Sequence, residues 1–290
     1  MKKIDAHAHI FERIASFGKC GELRPIGNGV CRWANGDEMA IIPKGYGDKE
    51  FMAETLLKIM DEEDVEKAIL LQGSLYGFQN EYAMETAEKY PDRFIDTGIA
   101  EQDVVGVASG LAYDGNIPFI IGMMPFMSMR ALEQVRTDVC YPNLPVRIIA
   151  NYAGLTGNGG STHYAMEDMA LYSSLVNMTV IAASDPTQLK QVIQKSLTYP
   201  GPMSIRMDPG KKNRVIYSAD AVFEIGKGYT AKEGTDISII ACGEMVDYAL
   251  QVADQAEEAG ISVRVIDMFT VKPLDEEIVL KAAEETGRIV

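Results

Sequence analysis

Apolar runs and amphipathic stretches alternate along most of the chain, and their periods predict alternating strands and helices. Residues 3–11 read as a strand. Residues 11–49 hold no sustained period and read as a long loop, with Trp33 packed against the body. Residues 51–61 place Met52, Leu56, Leu57 and Met60 at helical spacing, and 65–72 form a short apolar run of the kind buried in parallel sheets. Residues 73–78 read as a turn. Asn80 is placed to cap a helix running to Lys89, which Pro91 stops. The stretch 90–102 then holds a helix end, a proline break, a short apolar strand and a glycine-bounded carboxylate, Glu101.

The pattern continues as a helix over 103–111, a strand over 117–121 and a helix over 127–141 with Arg130 and Arg136 on its wetter side. A strand over 146–150 leads to a glycine-rich loop, 154–160, and a helix opening at 162 and reaching 171. Strands over 178–182 and 203–207 flank a helix from Pro186 to Ser196, the proline standing where helices favour it. Such repeated strand–helix units predict a parallel sheet covered on both faces. A polar connection over 208–235, with a possible hairpin, marks a domain boundary. Strands over 236–242 and 262–267 with helices over 245–259 and 276–285 predict a second, smaller α/β domain, with Ile289 and Val290 at the start of a further strand.

The 290 residues suit about two domains, and 47% hydrophobic with 24% charged residues suits a sizeable core. A net charge of −15 argues against nucleic acid or an anionic membrane as partner. Cys20, Cys31, Cys140 and Cys242 form no CxxC pair and read as reduced thiols. No apolar h-region follows Lys2 and Lys3, and no apolar run reaches membrane-spanning length, so a cytoplasmic protein is expected.

Two places carry candidate chemistry. Glu101 closes a buried-looking strand, where a carboxylate is costly without a partner, which makes it the first candidate for a functional acid. Its alternative is a helix cap. Asp5, His7 and His9 alternate along a strand and share one face, so both imidazoles are placed for one metal ion, or merely end the strand. The loop Gly154-Leu-Thr-Gly-Asn-Gly-Gly160 lacks a following lysine and is a poor phosphate loop.

Gly98-Ile-Ala-Glu-Gln102, followed by residues 103–112, resembles the thiamine-diphosphate-dependent transketolase family, and the resemblance runs to the end of the chain. Upstream, Ile4-Asp-Ala-His-Ala-His-Ile10 resembles metal-dependent amidohydrolases of the decarboxylase-related, (β/α)8-barrel type; Tyr90-Pro-Asp-Arg-Phe94 suits both families. The chain therefore reads as a chimera: an amidohydrolase-like fragment over 1–94, a transketolase-like pyrimidine-binding domain over 95–217 and a truncated transketolase-like C-terminal domain over 218–290. The foreign segment preserves the helix–strand–helix–strand order, which predicts that 65–72 joins the sheet beside the strand holding Ile99.

The resemblance implies that Glu101 hydrogen-bonds the aminopyrimidine ring of thiamine diphosphate and so promotes proton removal from the thiazolium carbon. It implies that Phe126, with Met123 and Met129 in place of two aromatics, lines the slot for that ring; a core stripe is the alternative for the methionines. It places His163 on substrate hydroxyls and Arg206 on a sugar phosphate. Asn151 and Gly159 depart from the family's histidine and aspartate, which puts ordinary pentose phosphates in doubt. At His7 and His9 the resemblance implies a vestigial metal site, since a catalytic zinc usually takes three protein ligands. The diphosphate- and Mg-binding motif of the family is absent, so the expected partner is a separate diphosphate-binding N-terminal subunit in a homo- or hetero-oligomer. Three functions follow: a subunit of a two-carbon ketol transferase, an incomplete metal-dependent amidohydrolase or decarboxylase, or an inactive chimera.

Overall fold

The computed structural model describes residues 3–18, 20–70, 80–97, 99–155, 160–206 and 214–290. The expected turn over 73–78 and the middle of the glycine loop lie outside them. The chain divides into two units, 1–120 and 121–290.

In the first unit, β1 (Lys3–Ala8) and β6 (Val65–Leu70) pair in parallel, and β6 pairs in parallel with β7 (Phe94–Asp96), Ala68 facing Phe94. The segment expected beside the Gly-Ile-Ala-Glu strand is thus next to β7, although Ile99 itself lies beyond the strand and is 69% exposed. β1 also bridges the start of β8 (Phe119–Met123) through Asp5 and Phe119. Helix α1 (Ala53–Glu62) buries Ala53, Leu56 and Met60 on a core of Ala8, Ile10, Ala68, Leu70 and Phe94. No side chain of α1 caps its own start; the Ala53 N–H instead donates to the Tyr82 hydroxyl of α2 (Asn80–Lys89) at 2.9 Å. Arg93 ties the β7 entry to β6, its Nε donating to Glu66 O at 2.8 Å and its Nη2 pairing with Asp61 at 2.8 Å.

Residues 11–49 are not the structureless loop expected. They hold a four-stranded antiparallel meander, β2 (Ser16–Gly18), β3 (Gly21–Gly27), β4 (Val30–Trp33) and β5 (Glu38–Ala40). Phe11, Ile14, Leu23, Cys31 and Ile42 form its core, with Trp33 packed against it. The turn Asn28-Gly29 has φ of 54° and 75°, the left-handed pair that a two-residue hairpin requires.

In the second unit, β9 (Arg147–Asn151), β11 (Met203–Arg206) and β10 (Thr179–Ala182) form a parallel sheet, with β15 (Thr270–Lys272) antiparallel on the outer edge of β10. The helix expected over 127–141 is present as Phe126–Cys140, but two wide turns, Phe126–Arg130 and Val135–Cys140, flank α4 (Leu132–Gln134). The Ser128 and Thr137 hydroxyls donate to carbonyls four residues back, at 2.7 and 2.8 Å, a pattern that bends helices. The helix expected over 162–171 is instead a short 3-10 turn, Ser161–His163, and a separate α5 (Asp168–Ser174). Helix α6 (Pro186–Ser196) matches its predicted bounds. Asp185 caps it, accepting from Gln188 N at 2.8 Å, while its second oxygen takes Ile216 N and Tyr217 N.

A second sheet orders β12 (Tyr229–Lys232), β14 (Val263–Asp267) and β13 (Ile237–Ala241), covered by α7 (Met245–Glu258) and α8 (Glu276–Thr286). β12 pairs with β14, not in a hairpin within 208–235. Arg288 to Val290 bond along β13, with Val290 N donating to Ser238 O at 2.9 Å. Among the described residues no helix is long and apolar enough to cross a membrane.

Candidate functional site

Glu101 is not at the end of a buried strand. β7 stops at Asp96, and Glu101 is the half-buried first residue of α3 (Glu101–Tyr113). The physical reason is local: Glu101 and Asp103 place negative charge in a first turn whose N–H groups lack intrahelical acceptors. The backbone bond of Val104 N to Ala100 O at 2.9 Å opens that turn. His7 lies in β1 and His9 just after it. Among the described residues no three His, Cys, Asp or Glu side chains gather into a group able to hold a metal ion.

The second unit assembles a ring cluster. The half-buried Phe126 meets His163 edge-on, centroids 5.1 Å apart at 78°, and Tyr152 lies 6.3 Å from the same imidazole. The Arg130 guanidinium covers Phe126 at 4.5 Å from its centroid. His163 Nδ1 is 3.0 Å from the Thr162 hydroxyl. Met123 and Met129 are both exposed, so the apolar-core alternative for them does not hold. Tyr152 is held at φ 58°, an uncommon backbone state for a bulky side chain and a form of strain found at ligand sites. The neighbouring Asn151 keeps a buried Oδ1 with no hydrogen-bond donor among the described residues. Sequence reasoning missed Tyr152 and Arg130, since neither backbone strain nor a cation over a ring leaves a motif.

Arg206 ends β11 and pairs with Asp168, the first residue of α5. Its Nε donates to Oδ2 at 2.8 Å, with side-chain exposures of 19% and 1%. Burial pushes the Asp168 carboxyl up, and the Arg206 guanidinium opposes that shift. Asp168 Oδ1 has no hydrogen-bond partner among the described residues. A small cleft of about 20 Å³ opens here, lined by Ala153, Ala182, Ala183, Arg206, Gly243 and Glu244. Ala153, Ala182 and Arg206 stand at or just past the carboxyl ends of β9, β10 and β11, the side where open α/β sheets bind ligands. Gly154 is held at φ 67° by two backbone bonds with Ala165, and a Cβ there would stand 3.3 Å from Arg206 Nη2.

The fold defines an α/β protein with a parallel-sheet ligand domain followed by a smaller α/β domain. Residues 55–211 match the family model for the transketolase pyrimidine binding domain, and residues 226–290 match that for the transketolase C-terminal domain. A Methanocaldococcus jannaschii protein provisionally named a transketolase C-terminal section is 40% identical over 83% of this chain and 74% of its own length. One subunit of the apulose-4-phosphate transketolase of Phocaeicola vulgatus is 38% identical over 70% of this chain and 66% of its own length. A solved split-gene transketolase, described as an inactive beta4 tetramer, superimposes with a TM-score of 0.66 at 36% identity, covering 80% of this chain and 75% of that one. The chain belongs to the transketolase family. It carries that family's pyrimidine-binding and C-terminal domains, a domain type that implies dependence on thiamine diphosphate.

Proposed function

We propose that this chain is the pyrimidine-binding subunit of a two-carbon ketol transferase, completed by a separate subunit that binds the diphosphate and Mg. The observation that carries the reading is the match of residues 55–211 and 226–290 to the transketolase pyrimidine-binding and C-terminal domains. The names of the two curated relatives, one a C-terminal section and the other a subunit, support a divided enzyme. The solved neighbour's description as an inactive assembly of one subunit type supports an oligomer that needs its partner to work.

The residues present fit the pyrimidine end of the cofactor. Phe126 offers a partly open ring, and the exposed Met123 and Met129 offer thioethers to an aromatic ligand. They do not fit the metal-bound diphosphate end, because no acidic group able to hold a metal gathers among the described residues. When bound, thiamine diphosphate supplies the nucleophilic carbon that accepts the two-carbon unit. In this reading Glu101 exchanges a proton with the ring, the task a carboxyl on a half-buried helix start performs through a short hydrogen bond. His163 contacts substrate hydroxyls, and Arg206 holds the far end of the sugar. The domain limits 95–217 and 218–290 belong to the same reading. So does an amidohydrolase-like origin for residues 1–94, with His7 and His9 vestigial; an incomplete hydrolase or an inactive chimera are its competitors.

The isolated chain is expected to show no ketol transfer even with excess cofactor and magnesium. With a matching diphosphate-binding subunit, transfer appears, and Glu101→Gln abolishes it while leaving assembly intact. Turnover by the isolated chain, or by the assembled Gln variant, refutes the assignment.

A further inference from the structure

We infer that Tyr152 is a positioning residue whose ring fixes the direction of the His163 imidazole. His163 has its task from the transferase reading above, on which this inference rests. Tyr152 follows the last residue of β9, in which side chains alternate between the two faces of the sheet. An extended backbone would carry the Tyr152 ring on along that alternation. Its φ of 58° breaks the pattern, and the ring stands 6.3 Å from the imidazole at 59° to its plane. Among the described residues the other non-glycine positions at positive φ are Asn28, Asp64, Asn143 and Asn177. Asparagine and aspartate enter the left-handed region readily because their short polar side chains bond locally, whereas a bulky ring is strained there. Such strain persists at sites where the place the side chain reaches has a use.

The local backbone does little to hold the His163 ring. His163 closes a 3-10 turn of three residues, Ser161–His163, too short to pack a side chain along a helix face. Its N–H donates to Gly160 O at 2.9 Å, which fixes the main chain and leaves the ring torsions to other contacts. Three neighbours supply them. Phe126 meets the imidazole edge-on at 5.1 Å, Tyr152 is the second ring, and the Thr162 hydroxyl lies 3.0 Å from Nδ1. Contacts between tilted rings are directional, because the positive edge of one seeks the negative face of the other. An aliphatic side chain fills the same space without that preference. The geometry belongs to the Tyr152 ring and not to its hydroxyl, so phenylalanine keeps it and leucine does not. Both substitutes bear the same left-handed backbone as tyrosine, which leaves the ring as the difference between them.

The test compares Tyr152→Phe and Tyr152→Leu with the parent. In the full chain alone, NMR follows the cross-relaxation between ring protons of His163 and Phe126, assigned by its loss in His163→Gln and in Phe126→Leu. The parent and Tyr152→Phe are expected to show it, and Tyr152→Leu to lose it as the imidazole turns away. With the diphosphate-binding subunit added and D-fructose 6-phosphate as the ketose probe, Tyr152→Leu should lower kcat/KM about tenfold, while KM for thiamine diphosphate stays within about twofold. Tyr152→Phe should restore the parent's kcat/KM. A general packing role would move both constants and would not distinguish phenylalanine from leucine. Cross-relaxation that survives in Tyr152→Leu overturns the inference, as does its absence from the parent or its loss in both variants. So does an assembled Tyr152→Leu enzyme with the parent's kcat/KM. The NMR measurement needs neither cofactor nor partner. The expected NMR result without ketol transfer by the assembled parent removes only the transferase reading, whereas transfer with an unmoved imidazole in Tyr152→Leu removes only the role of Tyr152.

Discussion

Replacing Asp267 with asparagine is expected to stabilise the protein at neutral pH. Asp267 ends β14 with no exposed surface. Its Oδ2 accepts from the Tyr217 hydroxyl at 2.7 Å and from Gln188 Nε2 at 2.9 Å, while Oδ1 has no hydrogen-bond partner among the described residues. Burial, reinforced by the nearby Asp185, pushes the carboxyl up to about 6 from an ordinary 3.8, against the pull of its donors. The folded chain therefore holds this proton more tightly than the unfolded chain. The resulting stability is complete below pH 4, declines as pH rises through the interval to 6, and is gone above it. A shift of about two units corresponds to roughly 3 kcal/mol across that window. Asparagine keeps an oxygen for Tyr217 and Gln188 and carries no charge to desolvate. The variant should match the parent at pH 4 and exceed it by about 1–3 kcal/mol at pH 8. Urea unfolding followed by circular dichroism at intervals from pH 4 to 8 measures both curves. Parallel curves, or a variant weaker than the parent at pH 8, would show that Asp267 is not held against its charge.

Asp168→Ala should cost about 2–4 kcal/mol, because it strands the Arg206 guanidinium in a mostly buried site; a double-mutant cycle with Arg206→Met should recover part of that loss, and additive losses would deny the pairing. Arg147 is wholly buried and donates to the carbonyls of Ser196, Tyr199 and Gly201. Arg147→Met should lose about 3–5 kcal/mol by removing a donor from each of the three carbonyls, read as a fall in the urea midpoint. Burial lowers the Arg147 guanidinium to about 10, so it remains charged at neutral pH. Gly154→Ala should cost about 1–2 kcal/mol from its left-handed backbone and shift the Arg206 side-chain resonance; an unchanged resonance would argue against that close approach.

Sequence pattern revealed most where local chemistry decides. Asp185-Pro186 fixes the start of α6 through a cap and a preset φ, and both act within one turn. The 11–49 meander escaped because its strands are short and rich in charge, although Asn28-Gly29 signalled one hairpin. β12 and β15 escaped for a related reason: each is an edge strand of three or four residues whose identity depends on a distant partner. Glu101 was legible as a carboxylate of interest but was set on the wrong element, since nothing in the apolar pattern marks where β7 stops. The polar networks were invisible. Arg206 finds Asp168 across 38 positions, and Gln188 finds Asp267 across 79, so neither pairing leaves a spacing to read.

β15 limits how such a gene can be divided. Its residues lie within the C-terminal domain match, yet they hydrogen-bond to the edge of β10 in the pyrimidine-binding sheet. Lys272 of the same strand reaches the Ser173 and Leu175 carbonyls at the end of α5. A cut between the two domains would leave β10 an open template for other chains and remove that clasp. Recombination or engineered splitting between the two domains would break this pairing, so the pair travels as one inheritable piece.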